Sequence, residues 1–240
     1  MQRGQRSERE ATMDIGIIGS GNIGSTLARN LRALGHRVSI ANSRGPASLA
    51  SLAAETGARA ATVEQAAGAK DLAIITIPQS AVLNLPREVI RSTPAIVVDT
   101  GNYYPSRDGR IAEIDEGLTD SEWVARVLGR PVVKAFNNIV AGSLATRGVP
   151  VGDPRRVCLS VAGDVPQAKE TVQDLIRALG FDVIDAGTLA DSWRQQPGAP
   201  AYCRDLDMEG LKAALAQADA LQIAAYRLKA DQEAAPYFVR

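Results

Sequence analysis

The chain is poor in aromatic residues. Phe, Trp and Tyr make up 4% of its 240 positions, so the core must be built from Ala, Val, Ile and Leu. It has one histidine, His36, and no Ser-His-Asp or Cys-His set can be assembled around it. Its two cysteines, Cys158 and Cys203, lie far apart in the sequence. That excludes a disulfide framework and a metal knuckle and leaves two reduced thiols, with no metal site expected. Charge of one sign is also lacking: 27 basic side chains balance 27 acidic ones, so nothing points to nucleic acid or an anionic membrane as partner. No apolar run approaches the length of a membrane span. The polar segment 1–12, with Arg3, Arg6, Glu8, Arg9 and Glu10, has no apolar stretch and is not a secretory signal. It reads as a disordered leader, and the chain is expected in the cytoplasm.

What is present is alternation. Short apolar runs at 14–18, 37–41, 60–61, 72–77, 95–99 and 131–136 read as strands. Between them, helical patterns cover 22–34, 46–56, 63–67 and 82–90. This spacing is that of successive βαβ units and predicts a Rossmann-type, doubly wound parallel sheet. The segment 100–118 reads as loop. Beyond a turn-rich patch at 148–154, two more strands at 156–163 and 181–185 flank an amphipathic helix at 166–179, and one long helical pattern covers 208–232. The expected organisation is the leader 1–12, a dinucleotide-binding domain 13–150 and a small α+β or helical C-terminal segment 151–240.

The first strand runs into Gly19-Ser20-Gly21-Asn22-Ile23-Gly24, a G-x-G-x-x-G pattern between a strand and a helix. In that context it is a strong dinucleotide signal. Gly19 permits the tight turn, Gly21 lets a pyrophosphate approach the backbone, and Gly24 lets the helix pack on the strand. The N–H groups and positive dipole end of the helix then hold the diphosphate.

The end of the second strand distinguishes the two nicotinamide dinucleotides. An acid there would accept hydrogen bonds from a ribose 2′-hydroxyl. This chain instead has Ala41-Asn42-Ser43-Arg44, with no carboxylate. Ser43 can donate to a 2′-phosphate and Arg44 can pair with it, which predicts NADP(H) over NAD(H). Further strand ends should line the cofactor: Ile77, Pro78 and Gln79 after the fourth strand, and Ala135 and Asn137 after the sixth. Lys134 reads equally as a structural or a functional lysine.

The motifs GSGNIG, ANSRG, ITIP and VVKAFN resemble those of the coenzyme factor-420-dependent NADP oxidoreductase family, over residues 13 to about 189. They are also similar to those of the cytosolic domains of membrane metalloreductases. The resemblance implies hydride transfer between NADP(H) and a 5-deazaflavin, or between NADPH and a flavin. It implies contacts from Gly19 through Gly24 to the pyrophosphate and from Ser43 and Arg44 to the 2′-phosphate, with Ile77, Pro78 and Ala135 lining the cofactor. It also implies a homodimer whose C-terminal segment closes the cleft for a small redox acceptor. The chain departs from the family pattern at Asn137-Asn138, where the family often has a His-Thr pair, and in the polar stretches 191–198 and 202–205.

Hydride transfer between two planar redox groups needs little acid–base help from protein. Asn137, Trp193 and Arg194 are the acceptor-side candidates. Trp193 beside Arg194 reads either as a ring-stacking and anion-pairing unit or as an anchor at a dimer interface. An NADP-dependent dehydrogenase or reductase of a small organic substrate would need a proton donor, for which Lys134, Asp99, Tyr103, Tyr104, Tyr202 and Cys203 qualify. A non-catalytic NADP(H)-binding sensor is the third reading.

Overall fold

The computed structural model describes residues 12–238. Apart from Thr12, the leader expected over 1–12 lies outside the described residues. Strands β1 (Asp14–Ile18), β2 (Arg37–Ala41), β3 (Arg59–Ala60), β4 (Leu72–Ile75), β5 (Ile96–Asp99) and β6 (Val133–Lys134) form one sheet in the order β3-β2-β1-β4-β5-β6. All its pairings are parallel. This is the doubly wound Rossmann order, with the change of direction between β1 and β4. Strands β7 (Cys158–Val161) and β8 (Asp182–Asp185) pair in parallel as a smaller sheet. In chain order the helices are α1 (Asn22–Ala33), α2 (Ala50–Thr56), α3 (Val63–Ala67), α4 (Arg87–Ser92), α5 (Pro105–Asp108), α6 (Ala112–Asp115), α7 (Asp120–Leu128), α8 (Ala141–Thr146), α9 (Pro166–Ala178), α10 (Met208–Gln217) and α11 (Ile223–Ala234).

Alternate residues of the strands enter two cores, so both faces of the sheet are covered, as parallel sheets require. Ile15, Ile17, Leu72, Ile74 and Val98 pack on one side with Leu27 and Leu31 of α1. Ile18, Ala73, Ile75 and Val97 pack on the other with Ile90, Trp123 and Val124. The first of these cores continues without a break into Leu159, Val161, Val172 and Phe181 of the C-terminal segment. The two sheets are also stitched together: the Lys134 N–H donates to the Ala162 carbonyl at 2.8 Å and the Ala162 N–H to the Lys134 carbonyl at 3.0 Å.

Several expectations need correction. The long helix over 208–232 is two helices. The chain leaves α10 at Ala218 in an extended conformation, and Asp219 accepts the Leu221 N–H to start a new turn. The helix over 82–90 is a 3-10 turn (Gln79–Asn84) and α4, separated by Pro86, whose ring cannot continue the first helix. The loop over 100–118 carries the one-turn helices α5 and α6. Helix α7 was not anticipated, although its capping box is written in the sequence: the Thr119 hydroxyl accepts the Glu122 N–H, and Glu122 accepts the Thr119 N–H.

Candidate functional site

The nucleotide loop leaves β1 at the switch point and is pinned between the ends of β2 and β4. The Gly19 N–H donates to the Ala41 carbonyl at 2.8 Å, and the Thr76 hydroxyl donates to the Gly19 carbonyl at 3.0 Å. Gly19 sits at φ +119°, where a side chain would be strained. A Cβ on Gly24 would fall 2.0 Å from the Gly19 carbonyl oxygen and 2.6 Å from the Thr76 hydroxyl oxygen. Helix α1 therefore approaches the turn only because that position is glycine. Gly21 is different: a Cβ there meets nothing within 4 Å. It is the N-cap of α1, which has no side-chain cap and no acid in its first turn. The first free N–H groups of the helix thus face open space beside a residue with no side chain, which is the arrangement an anionic group needs. Thr76, which sequence reasoning assigned only to a strand, organises this loop.

Asn42 joins that loop to the end of β2. Its carboxamide donates to the Ser20 hydroxyl at 3.2 Å and accepts the Arg44 N–H at 3.0 Å and the Ser48 hydroxyl at 3.1 Å. Ser43 and Arg44 stand exposed beyond it, and Arg44 makes no ion pair among the described residues. After β4, Ile77 is half-buried and Pro78 exposed. Gln79 instead turns inward: it is fully buried and donates to the Asp120 carbonyl at 2.7 Å.

At the ends of β5 and β6 lies a buried charge cluster. The Lys134 ammonium, fully buried, donates to the Gly101 carbonyl and sits 3.4 Å from Asp99. Asp99 also accepts the Ser121 hydroxyl at 2.6 Å and the Gly101 N–H at 2.9 Å. Asp120 accepts the Tyr103 N–H at 3.0 Å, and burial raises its carboxyl above the ordinary range. These contacts make Lys134 and Asp99 the frame of the loop that leads to Tyr103 and Tyr104.

Ala135 is fully buried. The amide of Asn137 is committed internally. It donates to the Asn102 side-chain oxygen at 3.1 Å and the Gln195 carbonyl at 2.6 Å, and it accepts the Gln195 amide at 2.8 Å. Asn137 thus ties three chain segments together and has no free side-chain group to offer a ligand. Trp193 and Arg194 do not face this edge. Arg194 pairs with Asp191 at 2.8 Å and stacks on Trp193, and both line a shallow cavity with Ile184 and Lys212.

The cavity beside the β5 and β6 ends has a volume of about 730 Å3 and is lined by Tyr104, Val140, Tyr202, Cys203, Arg204 and residues of α11. The Tyr104 and Tyr202 hydroxyls lie 2.6 Å apart. Burial raises both phenols above their ordinary value and pushes the Cys203 thiol up to about 11. Phe136 (φ +60°) and Cys203 (φ +49°) are the non-glycine residues with positive φ among those described, and Cys203 lines this cavity.

Among known proteins, residues 14–103 match the family model described as NADP oxidoreductase, coenzyme F420-dependent. The crystal structure of the hypothetical protein SMa0349 from Sinorhizobium meliloti superposes with a TM-score of 0.72 at 34% identity, covering 81% of this chain and 95% of that one. A candidate F420-dependent NADP reductase from Arthrobacter sp. FB24 gives 0.63 at 25% identity, covering 75% and 87%. The Rattus norvegicus metalloreductase STEAP3 is 30% identical over 179 residues, which is 74% of this chain and 34% of that protein. The chain spans less than half the length of the curated relatives it matches. No helix among the described residues is long and apolar enough to cross a membrane. With the doubly wound sheet and the glycine loop at its switch point, these matches show a Rossmann fold whose residues 14–103 are similar to the coenzyme F420-dependent NADP oxidoreductase family.

Proposed function

We propose that the chain is an NADP(H)-dependent oxidoreductase that exchanges hydride with a flavin or 5-deazaflavin acceptor. The observation that carries the nucleotide part is the open N-terminus of α1 at Gly21, with Ser43 and Arg44 exposed and unopposed at the end of β2. The residues fit the group. The α1 N–H groups hold the pyrophosphate, Asn42 fixes the angle between its loop and the 2′-phosphate loop, and Arg44 supplies the charge. Ile77 and Pro78 give the dinucleotide an apolar edge. When bound, the dihydronicotinamide supplies hydride.

The acceptor reading is supported by the cavity, large enough for a ring system, and by Arg204 on its rim, exposed and without an ion pair among the described residues. A planar acceptor with an acidic side arm suits those two features. A reductase of small organic substrates is the second reading, favoured by the two tyrosine hydroxyls in the same cavity. We also propose a cytoplasmic homodimer, in which exposed Leu221, Leu228 and Tyr237 of the C-terminal helices are covered by a second copy. A monomer by light scattering at micromolar concentration would count against it.

The test is a titration with NADPH and NADH, followed by NADPH oxidation with FMN, a 5-deazaflavin and a ketone. Tight NADPH binding and flavin or deazaflavin turnover are expected. Turnover with the ketone alone supports the second reading, and NADPH binding with no turnover identifies a sensor.

A further inference from the structure

We infer that the cavity beside the β5 and β6 ends is the acceptor site and that the Tyr104–Tyr202 pair delivers the proton that accompanies the hydride. The inference rests on the proposed nucleotide site and goes beyond it by naming a proton donor.

In a parallel sheet all carboxyl ends lie on one edge, and ligands bind outside it. Tyr104 follows the end of β5 and Val140 the end of β6, so the cavity opens on the edge that also carries the Gly19–Gly24 loop. Its floor is continuous with the Asn102–Asn137–Gln195 network, because Cys203 reaches the Asn137 carbonyl at 3.9 Å.

Of the titratable groups in the cavity wall, Lys229 and Glu233 face each other at 3.9 Å on the exposed surface of α11. Arg204 is exposed on the rim, where its guanidinium is placed to pair with an anion. The Cys203 thiol is directed at a backbone carbonyl. Tyr237 stands 85% exposed on the outer wall, free to exchange its proton with solvent. Tyr202 is left, half-buried, with its hydroxyl 2.6 Å from that of buried Tyr104. The Arg107 guanidinium lies 5.2 Å from the Tyr104 ring centroid and holds positive charge close to the pair. The surrounding backbone is held in an unusual state: Cys203, next to Tyr202, is left-handed, a conformation that persists where the surroundings over-determine it.

Hydride from a dihydronicotinamide arrives at an electrophilic carbon or nitrogen of the acceptor. The π pair moves to the conjugated nitrogen or oxygen, which takes the Tyr202 hydroxyl proton. The phenolate so formed accepts the Tyr104 hydroxyl's hydrogen bond until solvent returns the proton. Burial keeps both phenols protonated before the step, so the pair enters as donor. The acceptor class is therefore one that gains both hydride and a proton: a flavin, a 5-deazaflavin, a ketone or an imine.

The experiment compares wild type, Tyr202→Phe and Tyr104→Phe. It measures NADPH affinity, FMN affinity by quenching of flavin fluorescence, and NADPH oxidation in H2O and D2O with FMN, a 5-deazaflavin, a ketone and a cyclic imine. Tyr202→Phe should lose about a hundredfold in kcat and most of its solvent isotope effect. Its NADPH and FMN affinities and its melting temperature should hold. Tyr104→Phe should lose about tenfold, acting through Tyr202. A Tyr202→Phe enzyme with kcat within twofold of wild type overturns the inference. So does a change confined to FMN affinity or KM, or a wild type that binds NADPH yet reduces none of the four acceptors. A wild type that binds no NADPH refutes the nucleotide site itself, and this inference with it.

Discussion

Consider two substitutions in the glycine loop, Gly21→Val and Gly24→Ala. If the loop cradles a pyrophosphate, they must fail for different reasons. At Gly21 the backbone is extended (φ −73°, ψ −170°) and a Cβ meets nothing within 4 Å. Valine therefore fits the folded chain. Its cost is the loss of a tolerable N-cap residue, about 1 kcal/mol or less. The same side chain projects into the space before the uncapped N–H groups of α1. Blocking that approach should weaken NADPH binding by at least about a hundredfold, ~2.7 kcal/mol. At Gly24 a methyl group would lie 2.0 Å from the Gly19 carbonyl oxygen, against 3.4 Å for ordinary contact. Helix and turn must separate, at about 1–3 kcal/mol for overpacking, offset in part by the ~1 kcal/mol better helix propensity of alanine. Thermal melts with calorimetric NADPH titration separate the two. Gly21→Val should keep its melting temperature and lose the ligand, whereas Gly24→Ala should lose some of both. A folded Gly21→Val chain that binds NADPH within threefold of wild type would refute the loop assignment.

Three further outcomes are expected. Arg44→Ala should reduce the preference for NADPH over NADH by at least about tenfold, ~1.4 kcal/mol, in paired dissociation constants; an unchanged ratio assigns the 2′-phosphate elsewhere. Arg204→Ala should raise KM for FMN by about fivefold, ~1 kcal/mol for an exposed ion pair, while leaving riboflavin, which lacks the phosphate, unaffected; equal effects on both flavins would remove Arg204 from the acceptor's side arm. Burial holds the Asp120 carboxyl above its ordinary value of 3.8. The folded chain therefore binds more proton than the unfolded chain as pH climbs past that value, and this group subtracts stability until its folded pKa is passed. Asp120→Asn, which keeps an acceptor for the Tyr103 N–H, should flatten the fall in melting temperature across that interval; an unaltered profile would show that the proton resides elsewhere.

Local chemistry was the legible part. The glycines of the loop, the acid-free end of β2 and the alternation of apolar runs are each written within a few residues, and each fixes its geometry by contacts across a single turn or between neighbouring strands. The ends of elements were less so. Pro86 divides a stretch whose apolar spacing still reads as one helix, and Asp219 restarts a turn inside an unbroken run of helix formers. Trp193 and Arg194 read in the sequence as an aromatic and cationic pair, but they satisfy each other and Asp191. The Tyr104–Tyr202 contact joins residues 98 positions apart. No periodicity carries it, because it depends on how the C-terminal segment returns over the sheet.

That return also decides how the parts of the site hold together. β6 and the residue after β7 exchange both backbone hydrogen bonds, and one apolar core runs beneath the junction. Gln195 is locked to Asn137 through both polar atoms of that amide, and Asp205 accepts the Ser143 hydroxyl of α8 at 2.7 Å. Tyr202 lies between these anchors. Motion at the site is therefore expected in α11, which buries only Ala230 and is tied to α5 by the exposed Ser106–Asp231 hydrogen bonds. Hydrogen exchange gives the ordering: in the monomer, at concentrations below those at which the proposed dimer forms, amides of α11 should exchange well before those of β7, and the dimer should add protection to α11. Equal protection of both in the monomer would mean that the acceptor cavity opens by global unfolding.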